Sequence, residues 1–202
     1  MRLRKLVLPV LATCLTLSLA SPSAANTIVD TGTPILNSPW VFEPSQYFAG
    51  EFTIVDSFVV QTIEGYWSVN SGAGTVDIAV HADNGNLPGA VLFSASTPLV
   101  APAPLGWYGV FALNQVLNPG TYWVSFKPSG IVSGTIKGLA PNPLVDYVQG
   151  FGDYSWIDNG FNYGISARIT GDLVAAVPDV TSTLSLCLGV ALLGFAAQRL
   201  WT

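Results

Sequence analysis

Apolar and polar residues alternate through most of the middle of this chain, whereas each end carries an unbroken apolar run. The cleanest alternation is Thr75–Ala82, with Val76, Ile78 and Val80 on one face and Asp77, Ala79 and His81 on the other. A two-residue period is what a strand with one buried face requires, because successive side chains point to opposite sides. Thr121–Lys127 repeats it with Tyr122, Val124 and Phe126, and Asn162–Thr170 with Tyr163, Ile165, Ala167 and Ile169. Phe52–Val55, Ser57–Ile63, Val91–Ser96 and Trp107–Leu113 add β-branched and aromatic segments, and Ile131–Ile136 a weaker one.

Turn chemistry separates these runs. Asp83-Asn84-Gly85-Asn86-Leu87-Pro88-Gly89 is built from residues that tolerate positive φ or set a turn, and Asn118-Pro119-Gly120 suits a tight turn. Ala101-Pro102-Ala103-Pro104 is extended and not helical. About eight short strands with no helix between them predict an all-β fold, an antiparallel two-sheet sandwich that is jelly-roll-like in order, over residues 26–172. Residues 173–183 read as a linker, because Pro178 stops any helix entering it.

The two ends carry a different message. Arg2, Arg4 and Lys5, the apolar stretch Leu6–Ala20 and the small residues Ser21–Ala25 have the three parts of a secretory signal peptide. Ser23 and Ala25 fit a signal peptidase, which makes 1–25 the leader and Asn26 the mature start. At the other end, Leu184–Ala197 carries no charge and is followed by Arg199 and Trp201. Fourteen helical residues span roughly 21 Å, and counting from Val180 brings this to roughly 27 Å, enough for a short crossing of a thinned bilayer. The run is apolar on every face, so residues 184–202 are expected to form a transmembrane helix with a basic end.

Charge narrows the partners. The whole chain carries a net −5, but residues 26–172 hold eleven acids against Lys127, Lys137 and Arg168, a net −8. Such a field repels nucleic acid, and no basic patch opposes it. Cys14 lies in the leader and Cys187 in the tail, so the middle has no disulfide and rests on its core. About 147 residues bury roughly 68–70% of their unfolded surface, which is sufficient.

Val177, Pro178 and Asp179, then Ser182 and Thr183, then a short apolar helix and Arg199, resemble the PEP-CTERM sorting signals of Gram-negative bacteria. The likeness is to the branch opening Val-Pro-Asp-Ser-Gly-Ser-Thr, with Val180 and Thr181 standing where that branch has Ser-Gly. The resemblance covers only the last 26 residues or so. It implies handling by an exosortase, a membrane-embedded sorting enzyme, and a final place in the bacterial cell envelope, at the cell surface or in an extracellular matrix. The 82–89 loop and the turn before Tyr122 also resemble, loosely, sandwich modules of anchored bacterial exoproteins, which share no activity.

Catalytic chemistry is sparse. His81 is the only histidine, there is no Gly-x-Ser-x-Gly, and the middle has no cysteine, so a nucleophile–base pair has little to draw on and no enzyme is expected. Two ligand-binding readings are carried forward. Asp83, Asn84 and Asn86 offer clustered oxygens for calcium, although turn residues bonding their own backbone are the commoner explanation of such a cluster. Tyr154 and Trp156, between Asp153 and Asp158 in an aromatic stretch from Tyr147 to Tyr163, offer a stacking face with flanking acceptors for a carbohydrate. The competing account is that these rings cap one end of the core.

Overall fold

A computed structural model describes residues 25–34, 40–138, 144–152, 155–158 and 164–174. The leader and the apolar tail lie outside them, with the sorting motif. Among the described residues no helix is long and apolar enough to cross a membrane.

The described residues form eleven strands: β1 (Asn26–Asp30), β2 (Trp40–Phe42), β3 (Gln46–Ile54), β4 (Phe58–Asp83), β5 (Pro88–Val100), β6 (Ala103–Val110), β7 (Gln115–Leu117), β8 (Gly120–Ile136), β9 (Tyr147–Phe151), β10 (Ser155–Ile157) and β11 (Ala167–Leu173). Every pairing is antiparallel. The all-β expectation therefore holds, with longer and more numerous strands than the sequence pattern suggested.

The organising element is β4. Ser57–Ile63 and Thr75–Ala82 read as two strands in the sequence, but apart from Ser57 they are parts of one. Its first part pairs with β11 on one side and with β6 and β7 on the other. Its second part pairs with β8 and β5. The chain after β4 runs back along its whole length as β5, β6 and β7. The register slips between Val69 and Ser71, and Gly72 sits at φ 83°. A side chain at Gly72 would meet the Ile131 carbonyl, so glycine is what lets β4 pass this point against β8.

One apolar cluster joins both parts of the sheet, in a sandwich-like arrangement. It draws Val60 and Ile63 from the first part of β4, Val76, Ile78 and Val80 from the second, Phe48 and Phe52 from β3, Val124 and Phe126 from β8, and Ala167 and Ile169 from β11. The alternating faces expected from the sequence are thus the buried ones. The largest contribution comes from Trp67, fully buried between Phe42 (5.5 Å between centroids), Tyr108 (5.9 Å) and Phe126 (5.6 Å). Buried rings of this size each stabilise by roughly 1.5–3 kcal/mol or more.

Both ends of the described body lie at one end of β4. Asn26 stands opposite Gly171, and Leu173 opposite Phe58. Val174 then donates its N–H to the Ser57 carbonyl at 2.9 Å.

Candidate functional site

Strand order sets β4, β8, β3, β9 and β10 side by side, and alternation turns one residue in two away from the main core. On that outer face lie His81 of β4, Trp123 and Ser125 of β8, Tyr47 and Ala49 of β3, Val148 of β9 and Trp156 of β10. Ala49, Trp123 and Val148 are fully buried there, with Leu87 and Trp156 packed over them. This second apolar cluster is the most elaborated patch among the described residues.

His81 is held at three points. Its Nδ1 lies 3.1 Å from the Gly89 carbonyl and its Nε2 lies 2.8 Å from the Ser125 hydroxyl. A carbonyl only accepts, so Nδ1 carries the proton, and Nε2 accepts from Ser125. The ring meets Trp156 edge-on at 5.7 Å. Burial pushes its pKa below the ordinary value, with the Gly89 bond opposing in part, so it stays neutral.

The Ser125–His81 pair has the hydrogen-bond sense of a nucleophile and its base, which sequence reasoning did not anticipate. Its geometry denies it that work: Ser125 is 4% exposed and His81 7%, so an acyl substrate has no path to the hydroxyl. The pair satisfies two polar groups under an aromatic cover.

Trp156 is the sequence-predicted residue that the fold places most tellingly. It is half-buried, edge-on to Tyr47 at 4.9 Å, and Lys127 sits over the Tyr47 ring at 5.1 Å. Gly150 passes beneath Tyr47, where any side chain would strike the ring. Trp156 therefore caps the outer cluster rather than standing clear on a loop. Asp158 is exposed, while Asp153 and Tyr154 lie outside the described residues, as do Val177, Pro178, Asp179, Ser182, Thr183 and Arg199.

The 83–87 loop shows what its side chains already do. Asp83 accepts from Trp123 Nε1 at 3.0 Å and from the N–H groups of Gly85 and Asn86 at 3.3 Å each. The Trp123 bond, more than any other contact, holds the Asp83 carboxyl below its usual range. Asn84 bonds Leu87 through its backbone at 2.9 Å, and Asn86 takes φ 65°. These are turn functions, and no group of three His, Cys, Asp or Glu among the described residues is placed to share a metal ion. Nearby Glu51 is pushed above its usual range, chiefly by burial and then by Asp83 and Asp146.

A second aromatic group escaped sequence reasoning. Arg168 lies over the Trp107 ring at 4.0 Å and reaches Asp30 at 3.1 Å, with Tyr66 edge-on to Trp107 at 5.2 Å. The three come from β11, β6 and β4, far apart in the chain, and only the register Tyr66↔Trp107 brings the rings together. Compared with known families and curated proteins, the chain matches no family model and no curated protein.

Proposed function

We propose that this chain is a non-catalytic exported protein of the bacterial cell surface or extracellular matrix, sorted through its tail by an exosortase-like enzyme. Its body is read as a two-sheet sandwich of jelly-roll-like order. The observation that carries the non-catalytic part is His81. The chain's only histidine spends both ring nitrogens on Gly89 and Ser125 and is buried beside Trp156. The export part rests on the leader and tail patterns.

The test is the intact mass of the protein recovered from its native cell surface and medium. A species beginning at Asn26 and ending within Pro178–Thr183 is expected. A detergent-extracted species that keeps Leu184–Thr202 would replace sorting by a plain transmembrane anchor.

Carbohydrate binding is the second reading. It is favoured by Trp156, whose half-buried ring stands in the same short segment as exposed Asp158. Sugar rings stack on such a face while acceptors take the hydroxyls. A glycan array run with the intact protein and with Trp156→Ala separates the readings: a signal lost in the variant supports binding, and a blank array removes it. Calcium would enter this reading at Asp83, Asn84 and Asn86 by sharing a carboxylate that already accepts from Trp123, Gly85 and Asn86.

A further inference from the structure

The chain carries no charged residue from Asn84 to Phe126, in a body whose net charge is −8. That stretch contains β5, β6 and β7, which pair with β4 and with no other strand among the described residues. Among the described residues this edge of the sheet is therefore unpaired, and its three strands carry no charge. The other ends of the strand order do carry charge: β1 ends in Asp30, and β10 is followed by Asp158.

The backbone of β5 fixes which groups face outward. Pro98 has no N–H and stands opposite Thr75 on β4, so it fits only as a pair without ladder bonds. Bonding alternates along an antiparallel strand, so Ser96 and Ser94 also turn their N–H and C=O groups away from β4. An independent residue gives the same parity. Pro128 of β8 faces Val76, which leaves Val76 to bond with Thr97 of β5 and sets the same alternation. On the core side of this strand Phe93, Ala95 and Thr97 are only half-buried, because nothing lies beyond them.

We propose that the Phe93–Thr97 segment of β5 pairs antiparallel with the same segment of a second copy, about a two-fold axis at Ala95, so that Ser94 of one copy faces Ser96 of the other. Three observations select a second copy over another partner. An antiparallel edge pair needs only one sequence repeated, with Ser94 and Ser96 supplying mutual backbone bonds. Two bodies of net −8 repel at most surfaces, whereas β5 itself carries no charge and the carboxylate beside Ser96, that of Asp77, is held by the Ser96 hydroxyl. The usual defence of an open edge, a charged side chain, is missing here, while Pro98 limits how far pairing extends.

The full chain, purified in detergent, is sized by light scattering over a wide concentration range beside Ser94→Lys. The expected result is a dimer in the parent and a monomer in the variant, because the change charges the pairing edge and puts two lysines diagonally across the axis, within reach of each other. A parent that stays monomeric, or a dimer that Ser94→Lys leaves intact and so belongs to the tail or another face, overturns the proposal. Should Ser94→Lys fail to fold, the double variant Ser94→Cys/Ser96→Cys, with Cys14 and Cys187 replaced by serine, is oxidised instead, because positions 94 and 96 face each other across the axis. Facing residues of such a pair are within disulfide reach. A crosslinked dimer is expected, and its absence overturns the proposal.

Discussion

His81 Nε2 accepts a hydrogen bond from Ser125 Oγ across 2.8 Å, between neighbouring strands and under the edge of Trp156. The pair lets two polar side chains sit in a buried, largely apolar space on the outside of the sheet with their own hydrogen bonds made. Removing the imidazole strands a hydroxyl and a carbonyl. His81→Ala is expected to cost about 1–3 kcal/mol in urea unfolding, with the far-ultraviolet spectrum preserved.

The same histidine sets a pH dependence. Burial holds its folded pKa below the ordinary 6.5, so the unfolded chain takes up a proton that the folded one refuses. Stability is unaffected above about 6.5 and falls as pH drops below it, until the folded pKa is reached. Glu51, held above the ordinary 4.5, acts with the opposite sign in the window between that value and its raised one. Melting temperature measured from neutral pH downward is expected to decline, and His81→Gln to remove that part of the decline.

Gly72→Ala strikes at the passage of β4 along β8. The residue has φ 83°, and a Cβ there meets the Ile131 carbonyl, so both conformation and space oppose the change. A loss of about 2–4 kcal/mol is expected from denaturant unfolding. Gly85→Ala also carries a positive φ but meets nothing within 4 Å, and should cost less.

Calcium is expected to leave the melting temperature unchanged, and a chelator likewise. Asp83 serves Trp123, Gly85 and Asn86, and among the described residues no second or third acidic side chain is placed to share a cation with it. A thermal shift of several degrees on adding calcium would instead assign the loop as a site.

Arg168→Ala should cost roughly 0.5–1 kcal/mol, most of it from the stack on Trp107. The guanidinium and Asp30 are about a third or more exposed, so high salt is expected to shrink the ion-pair share and leave the stack. Unfolding curves at low and high salt for the parent and variant check this.

Alternation made the core legible. Val76, Ile78, Val80, Val124, Phe126, Ala167 and Ile169 are buried as their spacing implies. Strand number was not legible, because short partners carry too few residues to show a period. Gln115–Leu117 and Trp40–Phe42 are strands only through β4 and β8 beside them. The join of two alternating runs into β4 was hidden because the alternation lapses between them, where Gly72 and Gly74 allow close backbone approach to β8 and Gly65 leaves room for the Trp67 and Phe126 rings. On the outer face, His81 and Ser125 stand 44 positions apart, and no local pattern announces a meeting made by register.

The shared corner of β1 and β11 decides how the body stands. Asn26 lies opposite Gly171, and the chain leaves toward its tail from Val174 beside Ser57. If the tail is tethered, this corner is the footing, and β4 rises from it over the fourteen steps from Phe58 to Gly72, roughly 45 Å of strand. Beside that point Val100, 65% exposed, and Ile131, 88% exposed, stand on either side of Ala73, one on each strand neighbouring β4. Whatever reaches this part of the sheet meets two bare apolar side chains.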